Sequence, residues 1–382
     1  EVAATLLQTG RKEEAQAVLD AIDVSGSDET ALRRDALRVL WAIRDGKQAA
    51  ALASAQKVAE AHPESFAAFN LLGTMQLANR DIDSARISFQ QAVKLSPENL
   101  MSRQYLAAID EWTGDLASAK TGYESILAEK SDAAAAMFAL GRIAAREDNI
   151  EDAAAYFRRA SEASPGNGGY RLALARAERQ LGNGEQAQAL LEDDVDATLE
   201  DFPSALMLGA LRAEAGDLDG AMEIANQLTE RYPDNPASFA FEGELYSIGG
   251  NLTRADNAYE KALELGPIKN HALRSYQLKR QMGVTGAERP LVDYLEKRPL
   301  DNEVRVVLAE SYMQTDNLTK SIATYERVVS EEPTNAVALN NLAWNYYLVD
   351  DPRAIETARK AVDAMPDSGA IVDTLGWILV QR

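Results

Sequence analysis

Eight prolines set the strongest constraint on this chain. Pro63, Pro97, Pro165, Pro233, Pro267, Pro299, Pro333 and Pro366 follow one another at gaps of 34, 68, 68, 34, 32, 34 and 33 residues. This is one period near 34, with Ser131 and Leu199 standing where two prolines are skipped. Separate globular domains do not produce such regularity; stacked like repeats do. The length of 382 residues would otherwise predict two or three domains, and the period replaces that expectation with one continuous array.

Folding the sequence on the period exposes the pattern within each repeat. Repeat 66–99 carries Phe69, Leu72, Gly73, Ala85, Phe89, Ala92 and Pro97, and repeat 134–167 carries Met137, Leu140, Gly141, Ala153, Phe157, Ala160 and Pro165. Repeat 236–269 has Phe239, Gly243, Tyr246, Ala255, Tyr259, Ala262 and Pro267, and repeat 302–335 has Leu308, Ala309, Tyr312, Tyr325 and Pro333. Apolar residues three and four apart predict helices. The pairs Gly114-Asp115, Gly182-Asn183, Gly216-Asp217 and Gly250-Asn251 predict a turn dividing each repeat into two helices. The small residue at position eight and the alanine at position twenty are expected to let the two helices approach. The aromatic at position twenty-four is expected to fill space between neighbouring repeats.

This pattern resembles the tetratricopeptide repeat (TPR) family, W-x2-L-G-x2-Y…A-x3-F…P over 34 residues. Ten repeats span 32–368, starting at Leu32, Phe66, Leu100, Ala134, Gly168, Phe202, Pro236, Asn270, Asn302 and Ala336. A partial repeat over 1–31 is marked by Gly10, Ala15 and Leu19, and another over 369–382 by Val372, Leu375, Gly376 and Trp377. The resemblance implies an all-α fold, a right-handed superhelical solenoid of antiparallel helix pairs forming a single domain over 1–382. Two departures stand out. Asp35 and Arg38 take apolar positions, so the first helix of repeat 32–65 is expected to shift by one residue. Repeat 270–301 is two residues short with Pro290 inside its second helix, which predicts a kink or a late start. A last helix at 371–380 would expose Leu375, Trp377 and Leu379. A parent protein continuing past Arg382, or a partner, would cover them. With Glu1 first and no leader, the sequence reads as a fragment.

Composition excludes several function classes. Lys plus Arg number 39 against 60 Asp plus Glu, a net charge of −21, which opposes nucleic acid and anionic membrane surfaces as partners. No cysteine is present and only two histidines, His62 and His271, so thiolate chemistry, disulfides and histidine-rich metal sites are not expected, and no cofactor is called for. The longest apolar run, Ala133 to Gly141, is too short to span a membrane. HExxH, GxSxG and P-loop motifs are all missing, so the chain reads as non-enzymatic. Pro165-Gly166-Asn167-Gly168-Gly169 follows a helix and reads as a repeat turn. The acidic run Glu192, Asp193, Asp194, Asp196, Glu200 and Asp201 lacks the order of a calcium loop and suits a helix start instead. Asn251-Leu252-Thr253 and Asn317-Leu318-Thr319 are glycosylation sequons by pattern, at turns where Asn is favoured anyway.

In the family that this chain resembles, positions two, five, nine and twelve of each repeat line the groove. Carried over, they place Arg142, Arg176 and Arg179 there, with Arg146 one step beyond. Such a patch suits a carboxylate, phosphate or acidic peptide; the alternative is solvated surface paired to Glu147 or Glu178. Glu244, Glu303 and Glu310 make a later stretch acidic, suited to a basic segment or simply solvated. Asn340, Trp344 and Tyr347 could stack a peptide side chain or a sugar ring, or Trp344 could pack on its neighbour. A chaperone-tail clamp of lysine and asparagine is disfavoured, because position five holds Asn70, Gln104, Phe138, Leu172 and Leu206. Arg142→Glu with Arg176→Glu is expected to weaken partner binding with helicity and melting unchanged.

The leading functional expectation is a scaffold that binds protein partners or extended segments in its groove. Asn340-Asn341-Leu342-Ala343-Trp344 and Asp373-Thr374-Leu375-Gly376-Trp377 are similar to large bacterial tandem-TPR proteins, above all the lipoproteins of PEP-CTERM/exosortase and exopolysaccharide-export loci. That similarity implies the periplasm or outer membrane of a Gram-negative bacterium; the residues themselves leave the cytoplasm open. Three alternatives stand beside it: the substrate-recruiting arm of a larger enzyme, a periplasmic chaperone binding polysaccharide directly, and a pilus or secretion assembly factor. Aromatic rows would favour the polysaccharide reading, and the sequence has only the Trp344–Tyr347 pair, with Trp112 beside a groove position of its own repeat.

Overall fold

The computed structural model describes residues 28–382, and before them only positions 14, 17, 18 and 21; the partial repeat expected around Gly10, Ala15 and Leu19 lies outside the described residues. Among the described residues there are 22 helices and no strand. They fall into two compact units, residues 1–190 and 191–382. The N-terminal unit holds α1 (Asp28–Arg44), α2 (Gln48–Ala61), α3 (Phe66–Ala78), α4 (Ile82–Leu95), α5 (Leu100–Thr113), α6 (Leu116–Glu129), α7 (Ala134–Arg146), α8 (Ile150–Ala163) and α9 (Gly168–Gln180). Helix α10 (Gly184–Glu192) runs across the boundary. The C-terminal unit continues with α11 (Val195–Glu200), α12 (Phe202–Glu214), α13 (Leu218–Arg231), α14 (Pro236–Ile248), α15 (Leu252–Leu265), α16 (Lys269–Gln281) and α17 (Arg289–Lys297). It ends with α18 (Asn302–Gln314), α19 (Leu318–Glu331), α20 (Ala336–Leu348), α21 (Ala354–Ala364) and α22 (Gly369–Gln381).

The first helix of most repeats starts where the period places it, from Phe66 to Ala336. Two starts differ. Helix α1 begins at Asp28, four residues ahead of Leu32, and tolerates Asp35 because Arg34 and Arg38 neutralise it at 2.7 and 3.3 Å. In the short repeat, α17 starts late, at Arg289, with Pro290 in its first turn. There the missing N–H would have had no partner anyway, so no kink forms.

Most mid-repeat turns place one residue in the left-handed region and then cap the next helix; the turns before α2, α17 and α21 give no side-chain cap. Gly114 (φ 91°) precedes Asp115, whose side chain accepts from the Ser118 N–H. Asp148 (φ 60°) precedes Asn149, which accepts from Asp152. Asn251 and Asn317, the sequon asparagines, are such caps, accepting from the Arg254 and Lys320 N–H groups. Within a repeat, the close approach is made by a glycine under an aromatic ring. A methyl added at Gly141 would lie 2.5 Å from the Phe157 ring. Gly73 lies under Phe89 and Gly243 under Tyr259 in the same way. The position-twenty-four aromatic therefore packs first inside its own repeat, and Phe89 also stacks on Tyr105 of the next at 4.5 Å.

One break was not foreseen. The second helix of repeat 168–201 stops at Glu192 and resumes as α11. Asp194 caps α11 through the Ala197 N–H, and the buried Thr198 hydroxyl donates to the Leu191 carbonyl at 2.8 Å. Asp201 caps α12 through Ser204, and Glu192 pairs with Arg212 at 2.9 Å, so the acidic run serves helix ends. At the far end, α22 buries Ile371 and Ile378 and leaves Trp377 and Leu379 exposed. Leu375, expected to be exposed, packs against the cluster around Tyr325 and Tyr346. Among the described residues no helix is long and apolar enough to cross a membrane.

Candidate functional site

Positions two, five, nine and twelve of a first helix share one face, because they are spaced by three and four residues. In the N-terminal unit, bonds between successive first helices run along this face. The Ser102 hydroxyl on α5 donates to Asn70 Oδ1 on α3 at 2.9 Å, which uses Asn70 internally. Glu111 on α5 is 5 % exposed and is the hub of the next contact. Its carboxylate accepts from Arg142 Nη2 of α7 at 2.7 Å and from the Tyr123 hydroxyl at 3.3 Å, with Arg146 at 3.7 Å. The Arg142 guanidinium also lies 5.5 Å from the Phe138 ring centre. Burial, and then the negative charge of Glu111, push the Tyr123 phenol up from its ordinary value.

Arg142 and Arg146 are therefore paired, but to Glu111 and not to Glu147 or Glu178. Glu178 is itself buried and engaged by Arg158 and by Asn183 at 2.8 Å. Arg176 is exposed on α9 with no hydrogen bond or ion pair, whereas Arg179, one turn on, is not free. Two guanidiniums on one buried carboxylate, with Arg176 nearby in sequence register, leave this stretch net positive in a chain of net charge −21. Glu111 was not among the residues expected from the sequence, because a carboxylate on a charged helix face reads as solvated; its signal was a carboxylate at position twelve with Arg142 31 residues beyond.

The C-terminal unit carries the acidic stretch. Glu244 on α14 accepts from the Tyr259 hydroxyl at 2.7 Å and from Arg274 Nη2 of α16 at 3.5 Å. Glu303 is highly exposed and paired with Lys269, which raises the lysine pKa above its usual value. Glu310 on α18 is half-buried and has no hydrogen bond or ion pair. Trp344 and Tyr347 on α20 form the expected aromatic pair, with ring centres 5.3 Å apart. Both are half-buried, and Tyr347 packs on the core, so the pair is partly structural. Asn340 donates to Asn341 Oδ1 at 3.4 Å, while its own Oδ1 is buried without a donor. Asn341 Nδ2 in turn donates to the Tyr325 hydroxyl oxygen at 3.0 Å. Trp112, in the N-terminal unit, is 67 % exposed. His271 Nδ1 is buried without a partner, 6.1 Å separates its ring from that of Tyr259, and burial lowers its pKa. Among the described residues no group of three His, Cys, Asp or Glu is placed to hold a metal ion.

Family models of the tetratricopeptide repeat match residues 38–99 and 113–168, 144–211, 204–235 and 303–335. A curated human relative, Superkiller complex protein 3, is 30% identical over 129 residues, 34% of this chain; the chain spans only about 8% of that protein. Among solved structures, YrrB, described as a TPR protein with an unusual peptide-binding site, is 23% identical with a TM-score of 0.43, covering 50% of this chain and 97% of its own. Pseudomonas aeruginosa pilF is 17% identical with a TM-score of 0.48, covering 57% of this chain and 98% of its own.

Proposed function

Because this chain belongs to the tetratricopeptide repeat family, we propose that it is a protein–protein interaction scaffold whose first-helix face takes extended segments of its partners, with acidic segments docking along α7 and α9. The observation that carries this reading is the pair Arg142 and Arg146, fixed on buried Glu111 and Phe138, with Arg176 left unpaired and exposed. A guanidinium held in place loses little freedom on meeting a carboxylate, so it favours binding more than a mobile lysine does. Opposite charge on partner and patch also speeds encounter, and salt screens it.

The test is fluorescence anisotropy with a labelled nonapeptide alternating glutamate and leucine. The wild-type chain is expected to bind it, less tightly as salt rises. Arg176→Glu should weaken binding about three- to tenfold without shifting the melting temperature. Equal affinity of wild type and variant, or affinity indifferent to salt, would remove the patch from the account. The likeness of 340–344 and 373–377 to bacterial export-locus proteins supports placing the scaffold in envelope assembly. Fractionation of cells producing the full-length protein tests that placement, and recovery in the cytosol alone argues against it.

A further inference from the structure

Successive repeats of one chain are near-copies, so a contact made in one repeat and missing from the next shows what the second one lacks. In repeat 236–269, position nine is Glu244 and position twenty-four is Tyr259, and position five of the following repeat is Arg274. The three are bonded: the Tyr259 hydroxyl and Arg274 Nη2 both donate to the Glu244 carboxylate. In repeat 302–335 the same positions hold Glu310, Tyr325 and, again thirty residues beyond the carboxylate, Asn340. The carboxylate and the phenol are kept, and the guanidinium is replaced by a short neutral amide.

That replacement leaves three marks on the structure. Of the carboxylates at positions two, five, nine and twelve of the ten full repeats, Glu111, Glu244 and Glu303 are all paired, and Glu310 is not; in the closing partial repeat Asp373 is also unpaired, but it is exposed whereas Glu310 is half-buried. The Asn340 Oδ1 is buried with no donor, an acceptor left unsatisfied where the earlier repeat supplies donors. The Tyr325 hydroxyl, pushed up by burial and also by the nearby Glu310 charge, is turned to Asn341 and does not serve Glu310. One and two turns along α20 from Asn340 stand Trp344 and Tyr347, where the earlier repeat has Leu278 and Gln281. Acceptors without donors beside an aromatic pair form a receptor for a cation, since ring faces attract guanidinium groups.

We propose that Glu310, Asn340, Trp344 and Tyr347 form a subsite for one cationic side chain, an arginine first and a lysine second, presented by an extended segment of a partner protein. The incoming guanidinium takes the role that Arg274 plays for Glu244. Its fork donates to the Glu310 carboxylate and, as the Asn340 amide turns about χ2, to Oδ1, while its plane lies against Trp344. The exposed Val337 on the same face gives an apolar neighbour of that arginine a place to rest. Arginine is favoured over lysine because it offers several donors in a fixed plane and stacks on rings. This inference rests on the scaffold reading and names the chemistry of a second segment, distinct from the acidic one.

The experiment uses the full chain and two labelled heptapeptides, identical leucine–serine sequences with a central arginine or a central citrulline, its neutral isostere. The arginine peptide is expected to bind at least about tenfold more tightly than the citrulline peptide, a charge-assisted hydrogen bond being removed in the latter. Glu310→Gln should abolish that difference. Asn340→Arg should abolish it too, by filling the site from within as Arg274 does, and circular dichroism should show both variants folded. Arg274→Asn adds a check that structural damage could not imitate: it should open a second arginine-binding site at Glu244. Equal affinity for the two peptides, no detectable binding of either, or a preference for arginine that survives both Glu310→Gln and Asn340→Arg would overturn the subsite. Binding of the glutamate–leucine nonapeptide in the same preparation separates this failure from failure of the scaffold reading, which predicts that binding independently.

Discussion

Arg142 and Arg176 look alike in the sequence, both at position nine of adjacent repeats, yet they do different work. Arg176 can be changed without touching the fold, whereas Arg142 is one of the charges that let Glu111 lie buried. Reversing Arg142 would set a second carboxylate against the first. Because Arg142 is half-exposed and Arg146 and Tyr123 remain, Arg142→Glu should lower stability by about 1–2 kcal/mol, read by urea unfolding. A double charge reversal is therefore expected to leave melting unchanged only in its Arg176 half. His271 carries the clearest pH dependence. Its native pKa lies below the imidazole value of 6.5 because burial disfavours the charged ring. Above that value both native and unfolded rings are neutral and nothing is lost. As pH falls through 6.5 towards the lower native pKa, the unfolded chain takes up the proton first, and stability drops. The wild type should lose more stability than His271→Gln between pH 7 and the acid side of that window. Parallel stability curves for the two proteins would contradict this account.

At the scale of the helix and the helix pair, the glycine beneath an aromatic sets the spacing. In α7 and α8, Gly141→Ala would force the new methyl into the Phe157 ring, 2.5 Å away. Overpacking of this kind costs about 1–3 kcal/mol and outweighs the gain in helix propensity. The double variant Gly141→Ala with Phe157→Leu should recover part of the loss, and additive effects of the two changes would refute the contact. The glycine and the ring were both legible from the 34-residue pattern, because such spacing is imposed by backbone geometry that every repeat shares. The break between α10 and α11 was not legible. Leu199 stands in register with the prolines and conceals it, and what sets the break is Asp194 acting as a cap and Thr198 bonding a carbonyl, contacts that carry no periodic signal. Likewise Pro290 announced an irregular repeat, but whether it would kink or start a helix depended on the turn before it, which the period does not encode. The face residues show the same division. Their positions followed from the repeat, while their pairing, Arg142 with Glu111 and Arg274 with Glu244, was set by side-chain reach between repeats.

For the whole molecule, the net charge of −21 sets an opposing pair of effects. Self-repulsion of so acidic a chain weakens the folded state, and salt screens it; salt also weakens the exposed ion pairs, which contribute little. The first effect should win, so the melting temperature by differential scanning calorimetry should rise from low to moderate sodium chloride. A fall would mean that the surface pairs, Arg353 with Glu326 and Asp351 among them, carry more of the stability than their exposure suggests.

The bonds between first helices join residues 30, 31, 32, 34 and 35 positions apart. None of them asks the chain to close a loop longer than about one repeat, and loop closure is what slows the folding of non-local topologies. Any two neighbouring repeats thus contain the instructions for their own contact. Folding can begin at several places along the chain, and during synthesis a repeat can find its neighbour as soon as both have emerged.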